Sequence, residues 1–211
     1  MSPNVELKVS QNTARRSGER GTAALEFGLI VLPMLGMMFG LVVIGFDLGQ
    51  DVQVAQLARS ADAMFSRGVP MYSTSAQNYL IQLGQNMNLQ AGAGNGNGLI
   101  TLSEIQSVPI PNCSSPCTQY NNVLVQRIVI GNTSITAGAT RFPTAGTVTY
   151  DSLDQVDNYT TDPNAIVPNF SSSLQLQPLA TSYVAEAYFQ TNAISFGSIE
   201  STPGIYAQSF F

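Results

Sequence analysis

An α+β fold is predicted by three features of the 211-residue sequence. A twenty-residue run without formal charge, Phe27 to Phe46, is followed by apolar residues at helical spacing. Beyond Gly98, segments rich in β-branched and aromatic residues alternate with Gly, Pro, Asn and Ser. Helical pattern thus comes first and strand pattern after it, as in folds that segregate helices from an antiparallel sheet. The expected organisation is a basic leader over 1–21, a long N-terminal helix over 22–68 and an α+β domain over 69–211.

The uncharged run is long enough, at ~1.5 Å rise per residue, to cross a ~30 Å hydrocarbon core. It exceeds the ~7–15 apolar residues of a cleaved secretory signal, and no small-x-small site follows it closely. Arg15-Arg16 invites a twin-arginine reading, but Ser-Gly-Glu-Arg-Gly follows in place of the apolar residues such an address needs. Pro33 removes one N–H inside this helix and can loosen it. Gly36-x3-Gly40 and Gly45-x3-Gly49 have the small-residue spacing that lets helices approach in lipid, or are glycines that a membrane helix tolerates.

The helix is expected to continue past Asp47. Val54, Leu57, Ala58, Ala61 and Phe65 form one stripe at i, i+3, i+4, i+7 and i+11, with Gln53, Gln56, Arg59 and Asp62 elsewhere around it. Gly68 before Val69-Pro70 is a natural stop. A second amphipathic helix is read from Ala76, Tyr79, Leu80, Leu83 and Met87, with Ser75 as its candidate cap and its Tyr and Met in the core. Ala91–Gly98 reads as a flexible connector. Strands are expected at 99–102, 122–130, 146–150, 181–190 and 205–211, packed on the stripe of the long helix, with 123–130 central because it is apolar on both faces. Asp151–Ser173 reads as a long surface loop. Its Asp151, Asp154 and Asp157 lack the glycine and glutamate of an EF-hand loop.

Charge is segregated. Residues 1–21 carry net +2 and the remainder −7, giving −5 in all. The basic flank predicts that 1–21 stays in the cytoplasm and that the C-terminal bulk lies across the membrane. Four scattered arginines after residue 21 make no basic footprint for nucleic acid. The chain has no histidine, one lysine and no phosphate-binding glycine loop, so the usual catalytic kit is missing and only carboxylate chemistry stays open. No enzyme activity, cofactor, metal or small-molecule substrate is expected. Cys113 and Cys117, in "PNCSSPC", have no other Cys or His to build a zinc site and are expected to form a short disulfide loop outside the cytoplasm.

Glu26 stands at the mouth of the apolar run. It either sits at the interface, favoured by the positive end of its helix, or meets a positive partner inside the apolar layer. A cut after Gly21 would supply that partner as a new amine on Thr22, offered by a neighbouring subunit. A basic leader ending in Gly21, then Thr22-Ala23-Ala24-Leu25-Glu26-Phe27 and an apolar helix, resembles the type IV prepilins, and the G/xxxxEF form resembles their tight-adherence (Tad, or Flp) branch. The start "RGTAALEFGLIVLP", the continuation "QVAQLARSADAMFSRG" and a length far beyond that of major Flp pilins are similar to TadE/TadF-like minor pilins (pseudopilins). "YVAEAYFQ" and "IYAQSFF" are similar in style to that family's last strands.

The resemblance implies processing by a prepilin peptidase between Gly21 and Thr22, with Glu26 and Phe27 serving assembly. It implies a place in the bacterial inner membrane, lipid around the helix, the C-terminal domain in the periplasm, and other Tad pilins and minor pilins as partners. The role implied is to assemble, initiate or cap an adhesion pilus. The alternative is an uncleaved single-pass protein that anchors a periplasmic binding or envelope module.

Overall fold

The computed structural model describes residues 9–111, 113–135, 147–168, 170, 174, 176–191, 195–196, 199–200 and 204–211. Residues 1–8 of the leader, Gly146 of the expected third strand, and 169 and 171–173 of the expected loop lie outside them. The chain forms two compact units, one ending at Gly49 and the other running from Gln50 to Phe211. Helix α1 spans Val9–Ser66, so helix begins within the leader. It is followed by α2 (Thr74–Leu83), a 3-10 turn at Gln85–Met87, β1 (Gly98–Pro109), β2 (Tyr120–Gly131), a 3-10 turn at Pro163–Ala165, β3 (Thr181–Gln190), a small hairpin of β4 (Ser195–Phe196) and β5 (Ile199–Glu200), and β6 (Gly204–Phe210).

α1 stops where a left-handed residue is cheapest. Gly68 has φ +78°, its N–H donates to the Phe65 carbonyl at 2.9 Å, and the Val69 N–H donates to that of Met64 at 3.1 Å. These two bonds are a Schellman motif that satisfies the last carbonyls of the helix. α2 is capped by Ser73, not Ser75: the Ala76 N–H donates to the Ser73 hydroxyl at 3.4 Å. α2 also ends earlier than the periodicity suggests, at Gly84. Leu80 is fully buried and Ile81 packs beside it, while Tyr79 and Leu83 face outward. Met87 reaches the core from the 3-10 turn instead of from the helix.

The sheet is antiparallel, in the order β2-β1-β3-β6. β1 and β3 are central, and β2, expected in the middle, is an edge. It reads as apolar on both faces because each face is covered by something different. On one face Ile100, Leu102, Ile128, Ile130, Ala185, Ala187 and Phe189 meet Val54, Leu57, Ala58, Ala61 and Phe65 of α1, together with Met71, Leu80 and Leu89. On the other, Ile105, Leu124 and Val184 meet Val156, Ala165, Val167 and Phe170. Alternation alone would put Leu124 on the helix face with Ile128. The register shift at Glu104/Ile105 sets Glu104 opposite Gln126 and Ile105 opposite Leu124, which leaves Val125 as a bulged residue and turns Leu124 to the second face.

The second cover is the segment expected to be a surface loop. It pairs along the outer edge of β2: the Val156 N–H donates to Val125 at 2.8 Å, the Arg127 N–H to Asp154 at 3.1 Å, and the Val167 N–H to Asn122 at 2.9 Å. Its apolar residues then reach inward, with Phe170 fully buried. The expected strand at 146–150 is reduced to a single bridge between Tyr150 and Val156. The Ala91–Gly98 segment is also set in place. The Asn132 side chain accepts from the Gly94 N–H at 2.7 Å and donates to the Gly96 carbonyl at 2.9 Å.

Two outcomes test this packing. Phe65→Ala removes a ring that is 5 % exposed and stands edge-on to Tyr183, with centroids 5.2 Å apart. Denaturant unfolding of the full chain is expected to show a loss of roughly 3–5 kcal/mol. Gly68→Ala meets open space but forces an L side chain to positive φ, so a smaller loss of about 1 kcal/mol is expected in the same assay.

Candidate functional site

Two places on α1 carry chemistry. The first is the half that ends at Gly49. Among the described residues, Thr22–Ser66 is the one helix long and apolar enough to cross a membrane, with a window of mean hydropathy 2.5 that is wholly unburied. Leu25, Phe27, Leu29, Leu32, Met37, Leu41 and Phe46 are all exposed. Apolar surface this extensive and this continuous calls for lipid or protein to cover it. Glu26 is exposed near its start, one helical turn after Thr22. The helix runs through Pro33, which lacks the N–H that would bond the carbonyl of Leu29.

The glycines of this half do not form one stripe. At about 100° per residue, Gly36 and Gly40 share a face, and Gly45 lies about 180° away from Gly36 on a face shared with Gly49. A Cβ built at any of the four meets nothing within 4 Å. They are therefore two separate spots where another helix can come close. Glu26 lies nearer the side of Gly36 and Gly40, and Phe27 lies on the side of Gly45 and Gly49.

The second place is Asp62, which the sequence pattern puts off the apolar stripe. In the structure it is 0 % exposed, and neither carboxylate oxygen has a hydrogen-bond partner. It follows Ala58 by four residues and Ala61 by one, so it sits on the flank of the stripe and is carried under the sheet with it. Burial pushes its carboxyl up to about 6, against a smaller opposing effect of the Ser209 side chain on β6. An aspartate at i+4 from a buried alanine was the available signal in the sequence.

Among the described residues the Gln208 Nε2 on β6 is also buried without a partner, whereas several other polar groups are paired. On the opposite sheet face the Tyr206 hydroxyl donates to Glu186, and the Arg127 Nε donates to Ser103 at 3.3 Å. Burial pulls the Arg127 guanidinium down, and Tyr150 and Glu186 oppose that shift. Asp151 organises a turn: its Oδ1 accepts from the N–H groups of Leu153 at 2.8 Å and Gln155 at 2.9 Å. Among the described residues no cluster of three or more His, Cys, Asp or Glu side chains could hold a metal. Cys113 and Cys117 are bonded in the β1–β2 connection, with Cα atoms 5.4 Å apart, beside a cis Ser115–Pro116 peptide.

The structure thus brings Cys113 and Cys117 together and leaves Glu26, Phe27 and the four glycines on uncovered helix surface. Gly21 and Thr22 fall inside the helical span. Comparison of the chain with family models, with curated proteins and with solved structures returns no match.

Asp62 makes a clear prediction about stability. Its folded pKa, about 6, lies above its ordinary value of 3.8. The folded state therefore binds the proton more tightly, and stability falls as pH rises from about 4 to about 6, then levels off. The loss is on the order of 2–3 kcal/mol. Asp62→Asn is expected to flatten this slope and to be the more stable protein at pH 7, as read by denaturant unfolding across that pH range.

Proposed function

We propose that this chain is a minor pilin of the tight-adherence type, cut between Gly21 and Thr22 by a prepilin peptidase. In this reading it helps to assemble, initiate or cap an adhesion pilus at the bacterial inner membrane, with its sheet domain in the periplasm. One observation carries the reading. A single helix has an uncovered apolar half of membrane length and continues into the stripe on which a sheet domain is built. Such a helix gives a filament its apolar axis, and the domain from Gln50 onward gives it an outer surface. The basic leader and Glu26 supply the rest of the argument.

The carboxylate of Glu26 is exposed on a helix that otherwise offers lipid an apolar surface. Left unpaired there it costs several kcal/mol. The amine released on Thr22 of a neighbouring subunit neutralises it and sets the axial register between subunits. Lipid and neighbouring pilins are then the partners of the uncovered half, with close approach at Gly36/Gly40 and at Gly45/Gly49.

N-terminal sequencing of the membrane-extracted protein is expected to begin Thr-Ala-Ala-Leu-Glu. An intact Met1 or Ser2 start supports an uncleaved anchor and sinks the pilin reading. Gly21→Val is expected to block the cut, because the helix must unwind at this bond and only glycine lets the peptidase approach the backbone closely.

Glu26→Ala is expected to be cleaved and inserted normally yet to fail in joining other pilins. Breaking one side of a desolvated pair typically costs about 3–5 kcal/mol. Glu26→Gln is expected to be intermediate. Cysteine crosslinks between positions beside Thr22 and Glu26 of different subunits report the contact. If Glu26→Ala assembles like wild type, the carboxylate is only a helix-end charge.

A further inference from the structure

Strand β6 differs from the other strands of its sheet. β1 and β3 are largely buried, whereas every residue of β6 from Gly204 to Ser209 is only partly buried and Phe210 is exposed. It is the last strand in the chain and an edge of the sheet. The other edge, β2, is held by the 154–167 segment. The main-chain pairing of Phe211 with Tyr183 in both directions, together with the register, places Ile205, Ala207 and Ser209 as the residues bonded to β3. Those same three side chains face α1, where Ile205 and Ala207 pack on the core and Ser209 meets Asp62. The least buried strand of the sheet is therefore seated over a fully buried carboxylate, with only its Ser209 side chain acting to favour the charge.

We propose that Asp62 is a proton-operated latch on the C-terminal strand: with the carboxyl protonated β6 is seated between β3 and α1, and with it ionised β6 opens locally while the remaining three strands stay paired. The ionised group needs water or a cation, and the Ser209 side chain opposes only part of the cost of burial. From β6 it faces the neutral Ser209. From β3, Tyr183 packs edge-on to Phe65 of the same helix, with Glu104 of β1 acting on that tyrosine. Along α1, Arg59 and Arg67 are exposed to solvent. No charged group contributes to the Asp62 shift, so relief comes from moving the cover. Lifting β6 gives up the packing of Ile205 and Ala207 and the contact of Phe210 with Phe170, and leaves the helix stripe beneath docked on β1 and β2.

Native-state hydrogen exchange on the full chain in detergent micelles tests the latch. The N–H groups of Ile205, Ala207 and Ser209 are compared with those of Leu102 and Ala185 in the central strands. After correction for intrinsic rates, the β6 amides are expected to exchange through an opening of their own that leaves the central amides protected. The population of that opening is expected to rise about tenfold between pH 5 and pH 8, the factor that follows from an open-state value of 3.8 and a closed-state value of about 6. Asp62→Asn and Asp62→Ser are each expected to abolish the pH dependence, and either one suffices. Exchange of β6 only together with the central strands overturns the latch. So does a β6 opening that does not change with pH, or one whose pH dependence survives in the variants.

Discussion

The domain from Gln50 onward depends on one packing event, the burial of Val54, Leu57, Ala58, Ala61 and Phe65 against one face of the antiparallel sheet. Without it β1 and β3 would expose Ile100, Leu102, Ala185 and Ala187, and three or four strands alone make a marginal structure. The second face has a different cover, a segment that contributes Val156, Ala165, Val167 and Phe170. The helix therefore acts as the floor of the domain. Its small residues, Ala58 and Ala61, allow the sheet to approach closely.

That dependence explains why Asp62 is where it is. A helix docked through a stripe brings its flanking positions under the sheet as well, and β6 extends the sheet over that flank. The geometry that makes the core also desolvates a carboxylate. At pH 7 this works against stability, which is the usual mark of a residue kept for something other than the fold. On the opposite face, by contrast, Glu186 is paired with Tyr206 and Arg127 with Ser103.

The unit ending at Gly49 has a different logic. Its apolar residues point in all directions, its glycines form two opposed close-approach sites, and the carboxylate of Glu26 stands at the start of the uncharged run. Among the described residues this surface is uncovered. The function proposed therefore rests on what would cover the helix.

Periodicity made the main elements legible in the sequence: the stripe over 54–65, the stop at Gly68, the strand at 181–190 and the cysteine pair all follow from spacing within a few residues or a few turns. These are local facts, set by backbone geometry, and tertiary contacts only strengthened them. Residue spacing could not say that β2 is an edge, because a strand covered by a helix on one side and a loop on the other has the same apolar pattern as a central one. Nor could it show that 151–170 packs inward, since its apolar residues are held by turns and by hydrogen bonds to β2 and have no period. Tyr79 and Leu83 faced outward because the sheet reached α2 from only one direction. Asp62 was decided last and least locally. Its position on the helix was written in the sequence, but its loss of water depended on a strand about 150 residues further along the chain, and desolvation is a property of what arrives from elsewhere.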